Sequence, residues 1–490
     1  MAEVRYLFGT PARGVLLGLG LDRLAALVVG LGLSGALLGR GAPLPVAAIP
    51  LVTACCWCWA RLGGRQVHEW ARPLLAHGAA ILAGTSWRTG LAWAGPQPGA
   101  RRNLRRRSVT ASQARLPPEL GRLIWGEVHL DGLSLGLAGH AERGQRTANI
   151  VLVVRGPVRF GLADEHERAS AVAAWSEVLA AMGGEGSRLS RLCWVERARP
   201  WGSGAGHLVG GPEVAEPVAR SQLAMDYCDL VEQVTSAAVR HEVHLGVEVR
   251  VSSFRQEVIE VQVGGECRAL AHRLATAGIT ARPLDRIELA GLVRTWSDPT
   301  SRSQVGAWSG PEAILPGPVA RQVGWDHLRT DGVVHRCFAV TAWPRVPLGP
   351  SWLEPLIACA PLGATRTLAV HLEPVAAEMA ARRARAGRLN THLDQAQRSR
   401  WGFASGAAEE AGMAEAERRE EELVAGYTSH RLAAVVVVSA SDLEALGSAS
   451  RALAQAASAA RVDLRCSYGS QAEVWAASMP LCRIRQARWA

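Results

Sequence analysis

Lysine is absent from the sequence of 490 residues, so all 54 basic residues are arginine. A P-loop requires lysine at the β- and γ-phosphates, Schiff-base enzymes require its amine, and protein kinases require it on a strand. These three classes are therefore excluded for this chain. The arginines are spread over every segment beside abundant Ala and Gly, which is typical of GC-rich codon usage. The net charge of +10 is thus no argument for direct nucleic-acid binding.

The ten cysteines are unevenly distributed. Cys55, Cys56 and Cys58 cluster in one apolar stretch, and the other seven cysteines are scattered singly. This distribution is typical of buried thiols in a reducing cytoplasm. We predict no disulfide framework, no metal site, no cofactor and no catalytic residue.

Two apolar runs stand near the N-terminus. The first, Leu24 to Leu38, reads LAALVVGLGLSGALL, and a turn over Arg40 to Pro45 leads to a second run that ends at Ala60. This pattern predicts a transmembrane helical hairpin over residues 1–62, with helices over about 15–38 and 44–60. Fifteen helical residues reach only about 22 Å, against a hydrocarbon core of about 30 Å. The first helix must therefore extend back through Val15, or the bilayer must thin around it.

The arginines around the two runs predict the topology. One arginine, Arg40, lies between the runs, and the others flank them: Arg5, Arg13, Arg23, Arg61, Arg65 and Arg72. The positive-inside rule then places both termini and the large downstream region in the cytoplasm, with the hairpin in a bacterial inner membrane. The alternatives are a buried core hairpin and a cleaved signal peptide, of which the latter explains only one of the two runs.

Residues 63–122 are interpreted as a juxtamembrane segment. An amphipathic helix, VHEWARPLLAHGAAILAG, is followed by a Gly/Pro break and a basic run of Arg101, Arg102, Arg105, Arg106 and Arg107. Such a run suits the anionic lipids of the inner leaflet. A solvated linker is the alternative.

Beyond Leu123, period-two apolar runs alternate with helical ones, which predicts an α/β (α+β) fold. We expect strands at Leu123–Leu130, Leu133–Ala138, Asn149–Arg155, Arg191–Arg197 and Val243–Ser252. We expect helices at Asp164–Met182, Glu213–Arg240, Gly264–Ala277 and Leu284–Thr295.

The order of elements predicts two tandem related halves, 123–310 and 319–490, separated by a Gly/Pro-rich break at 311–318. Trp125, five residues, then Asp131-Gly132 is echoed by Trp325, five residues, then Asp331-Gly332. The sequence RALA occurs at 268–271 and again at 451–454. The second half also carries a long helical insertion over 374–427 with a break near 401–406. Its Arg382, Arg383, Arg385 and Arg388 suit an acidic partner or a solvated helix face.

Two short motifs suggest catalysis. Residues 132–136 match the G-x-S-x-G nucleophile elbow, which requires its serine on a turn between a strand and a helix, whereas Ser134 lies in a predicted strand. His241, Glu242 and His244 resemble a zincin motif without the i, i+4 spacing of its histidines. We interpret the first as a coincidence within a strand and the second as an edge strand with outward polar residues.

The last predicted strand is followed by SYGSQAEVWAASMPLCR, residues 467–483. This stretch resembles the end of the N-terminal, non-ATPase region of conjugative ATPases of the TrbE/CagE class, with Gln471, Trp475, Pro480 and Leu481 at the matching positions. The chain ends about where the motor domain of that class begins. The whole order resembles actinobacterial membrane proteins that join a PrgI-like two-helix segment to that region.

This resemblance implies a non-catalytic inner-membrane scaffold of a type IV secretion-like or conjugative apparatus for DNA or protein transfer. Its partners would be a separate secretion ATPase and other membrane subunits of the same apparatus, and self-association is left open. One alternative is a type VII secretion membrane subunit, which shares the plan of two N-terminal helices and a cytoplasmic domain. Another is a membrane-tethered serine hydrolase that uses Ser134.

Overall fold

The computed structural model describes residues 21–89, 120–156, 163–200, 239–298, 317–400, 414–424 and 428–484, apart from some positions inside these ranges. The described chain forms two compact units. The smaller unit contains the described residues up to 85 and from 375 to 429, and the larger unit contains the others.

The smaller unit begins with three helices and a short pair of strands. Its elements are α1 (Leu21–Gly39), α2 (Leu44–Trp59), β1 (Arg61–Leu62), β2 (Arg65–Gln66) and α3 (Val67–Leu82). Residues 40–43 join α1 to α2, and the two helices pack side by side. Pro43, at φ −60°, immediately precedes α2, so the preset φ of proline starts that helix.

The larger unit alternates strands and helices along the chain. Its first part contains β3 (Trp87–Thr89), β4 (Leu123–Leu130), β5 (Leu133–Glu142), β6 (Gln145–Arg155), α4 (Glu165–Met182), β7 (Leu189–Pro200), β8 (Val239–Arg250), α5 (Gln256–Thr276), β9 (Thr280–Pro283) and α6 (Arg286–Ser297).

Its second part contains β10 (Ala320–Val323), β11 (Leu328–Thr330), β12 (Val333–Ala342), α7 (Glu354–Ala358), β13 (Thr365–Val375), β14 (Ser429–Ala440), α9 (Leu443–Ala459), β15 (Asp463–Cys466) and α10 (Gln471–Ala477). Between β13 and β14 the chain enters the smaller unit and forms α8 (Ala377–Arg400).

Strands β3 to β15 form one sheet of 13 strands. The order across the sheet is β3-β10-β11-β12-β14-β13-β7-β8-β6-β5-β4, with β15 paired to β12 and β9 paired to β6. Antiparallel pairing joins the two parts of the chain at β7 and β13, where Cys193 lies opposite His371. The class is therefore mixed α/β with a large antiparallel sheet.

Apart from β3, which pairs with β10 at the edge of the sheet, the strand order is the same in both parts when each is followed towards the junction. The strands β4, β5, β6, β8 and β7 appear in that order on one side, and β10, β11, β12, β14 and β13 on the other. The additional strand also has the same place, since β9 pairs with the third strand of its part and β15 with the third strand of the other. Two residues separate β4 from β5, the first and second strands of one part, whereas Asp331-Gly332 separates β11 from β12, the second and third strands of the other. The repeated Asp-Gly pairs therefore do not hold equivalent places in the two parts.

Helices cover both faces of the sheet. On one face, α6, α10 and residues 479–484 pack on a core that crosses the junction and includes Val195, Ala369 and Val437. On the opposite face, α4 and α5 cover the first part, and α7 and α9 cover the second. Trp194 packs against both of the latter cores and makes them continuous across the junction.

Three of the covering helices begin at an aspartate that accepts a hydrogen bond from the backbone N–H three residues later. These are Asp164 before α4, Asp285 before α6 and Asp442 before α9. At α6 the carboxylate of Glu288 also accepts from the backbone N–H of Asp285, which completes a capping box. The sequence thus fixes locally where these helices start.

A buried ion pair spans the junction on the face covered by α4 and α7. Arg366 of β13 donates from Nη1 to Oε2 of Glu196 on β7 at 2.5 Å and from Nη2 to Oε1 at 2.9 Å. Its remaining donors reach the carbonyl oxygens of Cys359 and Ile357. Both charged side chains are almost completely buried, so the pair fixes how the two parts of the sheet are aligned.

Most of the expected elements overlap an observed element of the same type, and β4 has the predicted bounds. Two expectations are wrong. Val239 and Arg240 begin β8 instead of ending a helix, and residues 213–238 of that predicted helix lie outside the described residues. β8 is not an edge strand either, because it lies between β7 and β6. The strand conformation of residues 239–240 and the central position of β8 both depend on pairing with distant strands. Local periodicity of the sequence carries no information about that pairing.

Candidate membrane-docking surface

The contact between α1 and α2 is made by small residues. A Cβ on Gly30 would lie 2.6 Å from the Cβ of Ala54 and 3.0 Å from the carbonyl oxygen of Pro50, so only glycine fits there. On α2 the buried residues are Ala47, Ala54 and Cys58. Small residues of this kind let two helix backbones approach closely, as they do where helices pack within lipid.

Two hydroxyl groups of the pair are hydrogen-bonded within it. Ser34 is buried, and its hydroxyl oxygen accepts from the backbone N–H of Leu51 at 3.2 Å. The hydroxyl of Thr53 donates to the carbonyl oxygen of Ile49 in its own helix at 2.8 Å. A hydroxyl satisfied by its own helix needs no water, so it is compatible with an apolar environment.

Large apolar side chains point outward from the pair. Val28, Leu31, Leu44, Ile49 and Val52 are 58–75% exposed. A helix pair in water buries its large apolar residues against a core and shows a polar face to solvent. This pair has the reverse arrangement, with small residues inside and large apolar ones outside. Its exposed apolar area is of the kind that marks contact with lipid or with another protein.

α3 adds a further apolar face. Leu74, Leu75, Ile81 and Leu82 are all exposed, and their positions fall on one side of the helix. The start of α3 lies against the end of α2, since the ring centroids of His68 and Trp57 are 6.3 Å apart. An amphipathic helix beside an apolar pair suits the interface between lipid and water.

The described helices are short for a bilayer. α1 has 19 residues and α2 has 16, so they reach roughly 28 Å and 24 Å at about 1.5 Å per residue. Among the described residues, none of the helices combines the length and the apolar content that crossing a membrane requires. Residues 15–20 of the predicted first helix and the basic run 101–107 lie outside the described residues.

Ser134 lies within β5, opposite His129 of β4. Its hydroxyl makes a short hydrogen bond to the carboxylate of Glu127 across the hairpin. The turn before it, at Gly132 with φ +81°, joins two strands and not a strand to a helix. Ser134 therefore lies in a strand, as predicted. Its surroundings differ from those of a nucleophile elbow, which requires a strand-to-helix turn.

The zincin-like residues point to opposite faces of β8. His241 contacts Glu196 through Nδ1 at 2.7 Å, and Glu242 lies 3.5 Å from Arg199. His244 is buried beside Trp296, contrary to the outward position expected of it, and burial lowers its pKa to about 4. The residues that the structure describes contain no group of three or more His, Cys, Asp or Glu side chains placed to hold a metal ion.

A cysteine and a histidine meet in the core, which sequence reasoning missed. The Sγ atom of Cys193 lies 3.7 Å from Nε2 of His371, and both residues are buried. That Nε2 donates to the carbonyl oxygen of Ala477 at 2.8 Å, so it carries a proton and does not accept one from the thiol. Burial raises the pKa of Cys193 and lowers that of His371 to about 4, which keeps both neutral. The pair therefore has a packing role, and its 178-residue separation left no sequence signal.

The residues of the C-terminal pattern belong to the core. Gln471 accepts from the backbone N–H of Cys337 at 2.8 Å and donates to the carbonyl oxygen of Ser467. Trp475, Pro480 and Leu481 are buried, and the ring of Trp475 lies 5.9 Å from that of His335. These four residues of the pattern therefore stabilise the core of the larger unit.

No protein-family model matches the chain, and no curated protein matches it.

Proposed function

We propose that the protein is a non-catalytic scaffold that α1 and α2 anchor in the bacterial inner membrane. The observation that carries this proposal is the arrangement of the helix pair, with Gly30, Ser34 and Ala54 inside and large apolar side chains outside. Exposing large apolar side chains costs free energy in water but not in lipid, so this arrangement suits a pair of helices within a bilayer.

The topology of the proposal follows from the charges. Arginines precede the first apolar run and follow the second, and the positive-inside rule places such residues on the cytoplasmic side of the membrane. Both termini and the large α/β unit therefore lie in the cytoplasm. The first helix spans the bilayer by extending back through Val15, or the bilayer thins around the pair. α3 lies at the cytoplasmic interface, with Leu74, Leu75 and Leu82 turned to the lipid.

The proposed apparatus is a type IV secretion-like or conjugative transfer system. The order of the C-terminal pattern and its resemblance to the non-ATPase region of conjugative ATPases support this proposal. The given sequence has no lysine for a Walker A motif, and the proposal assigns the motor to a separate ATPase. The equal strand order of the two parts of the sheet supports two tandem related halves, which offer this ATPase a broad cytoplasmic surface.

Membrane extraction tests the anchor. The wild-type protein should stay in the membrane pellet after alkaline carbonate treatment. Replacing two outward residues of the pair, Val29→Asp and Ile49→Asp, should release it. The matched control is Val261→Asp, because Val261 is 74% exposed on α5 of the larger unit and should leave the protein in the pellet. Release of the wild type by carbonate would overturn the anchor.

Capture of the tagged protein from detergent-solubilised native membranes tests the secretion role. Mass spectrometry should identify a P-loop ATPase and further membrane subunits of one secretion system. Recovery of type VII core proteins instead would reassign the machine. A protein recovered alone from the membrane fraction would overturn the scaffold role while leaving the anchor intact.

A further inference from the structure

α8 presents arginines and large apolar side chains on the same face. The helix has six arginines and two acidic residues, a formal charge of +4. Its exposed face, here the α8 face, consists of Met379, Arg382, Arg383, Arg385, Leu389 and Leu393.

The spacing of these residues explains why they share a side of the helix. Arg382, Arg385, Leu389 and Leu393 follow one another at intervals of three or four, which is one face of an α-helix. Ala380 and Ala384 are buried on the opposite side. The α8 face is therefore turned away from the packed side of the helix.

Within the part of the chain that the structure describes, few ion pairs neutralise the α8 face. Arg382 lies 3.5 Å from Glu378, a pair in which both side chains are at least 80% exposed. Such an exposed pair contributes little. Arg388, at the border of the face, forms an ion pair with Glu420 of the same unit at 2.8 Å, so we do not count it among the available arginines. Three arginines thus remain available to an anionic partner.

We infer that the α8 face binds the anionic phospholipid headgroups of the cytoplasmic leaflet. This inference rests on the proposed anchoring of α1 and α2, which belong to the same compact unit as α8. Guanidinium groups bind phosphates as paired donors, and the arginine stems and the apolar side chains of Met379, Leu389 and Leu393 suit the boundary with the acyl chains. An acidic protein surface would complement the arginines but would leave these three apolar side chains without a partner.

Hydrogen–deuterium exchange of the full-length protein in lipid nanodiscs tests the inference. The peptide over residues 379–393 should exchange at least tenfold more slowly in discs that contain phosphatidylglycerol than in discs of phosphatidylcholine alone, and 0.5 M NaCl should remove the difference. Each arginine near an anionic surface strengthens binding by about fivefold. The triple variant Arg382→Gln, Arg383→Gln, Arg385→Gln should therefore lose the protection, and the matching triple change to lysine should keep it.

A control variant carries the same loss of charge on the larger unit, at the exposed Arg250, Arg255 and Arg451, each changed to glutamine. It should keep the lipid-dependent protection. Equal exchange of the peptide in both kinds of disc would overturn the inference, and so would protection that arises only when an acidic protein is added. These results differ from a failure of the anchor, in which the protein would not enter discs of either composition.

Discussion

The carbonyl oxygen of Pro480 lies 2.0 Å from the position that a Cβ on Gly246 would occupy. Gly246 is in the middle of β8, and Pro480 belongs to the C-terminal segment that crosses that strand. The segment makes further bonds to the first part of the sheet, since Arg191 donates to the carbonyl oxygen of Cys482 at 2.8 Å. The end of the chain therefore ties the second part of the sheet to the first.

Gly246→Ala should destabilise the larger unit. The new methyl group meets backbone atoms, which have no rotamer by which to move aside. Overpacking of this kind costs typically about 1–3 kcal/mol. Thermal unfolding of the detergent-solubilised protein, followed by tryptophan fluorescence, measures the effect.

The matched control for this change is Gly265→Ala in α5, where a Cβ would have no heavy atom within 4 Å. That variant should be as stable as the wild type or more stable, by up to about 1 kcal/mol, because alanine has the higher helix propensity. Equal unfolding temperatures for the two variants would show that the space between Gly246 and Pro480 can accommodate a methyl group.

Removing one partner of the ion pair at the junction should cost more than replacing both. Arg366→Met alone leaves Glu196 buried beside His241 without its main partner. Breaking a buried pair costs roughly 3–5 kcal/mol, whereas exchanging both partners for apolar residues is often close to neutral. A double-mutant cycle with Glu196→Leu, measured by denaturant unfolding, tests this. Additive effects of the two single changes would contradict a direct role for the pair.

Acid should destabilise the core through its buried histidines. Burial lowers the pKa of His335 to about 3 and that of His371 to about 4. Both are neutral in the folded protein, while an unfolded histidine takes up a proton below about pH 6.5. The unfolded state therefore binds more protons, and stability is retained above pH 6.5 and lost as the pH falls from there towards 3. Each such histidine adds a slope of about 1.4 kcal/mol per pH unit.

His335→Gln isolates one of these slopes. His335 donates from Nε2 to the hydroxyl oxygen of Thr330, whose own proton goes to the carbonyl oxygen of Ser297, and it accepts at Nδ1 from Ser439. The variant should have a stability that falls less steeply between pH 6 and pH 4, whatever its absolute stability. An unchanged slope in His335→Gln would contradict the assignment.

Buried thiols should resist alkylation until the protein unfolds. Cys193, Cys337 and Cys482 are buried, and burial raises the pKa of each thiol, so little reactive thiolate is present. N-ethylmaleimide followed by peptide mass spectrometry should modify these three only after denaturation. The denatured protein is the positive control, in which all three thiols should react. Early modification of Cys337 would show that the core opens locally.

Local patterns predicted much of the secondary structure. The alternation of LIWGEVHL gave the bounds of β4, and the apolar runs gave helices close to α1 and α2 as described. The same patterns did not reveal the packing side of α1, because Gly30, Gly32 and Gly35 are equivalent in sequence. Only contact with Ala54 distinguishes Gly30 from the other two, whose Cβ positions face open space.

The sequence by itself determined that lysine is missing, where strands and helices alternate, and that two apolar runs precede the α/β region. These properties depend on residue type and on near neighbours, so composition and periodicity record them. The tertiary structure alone decided that β3 to β15 form one sheet, that α8 shares a unit with α1, and that Pro480 lies on Gly246. Such contacts join residues hundreds of positions apart, and they are selected by packing and backbone pairing of the whole chain, which no local pattern encodes.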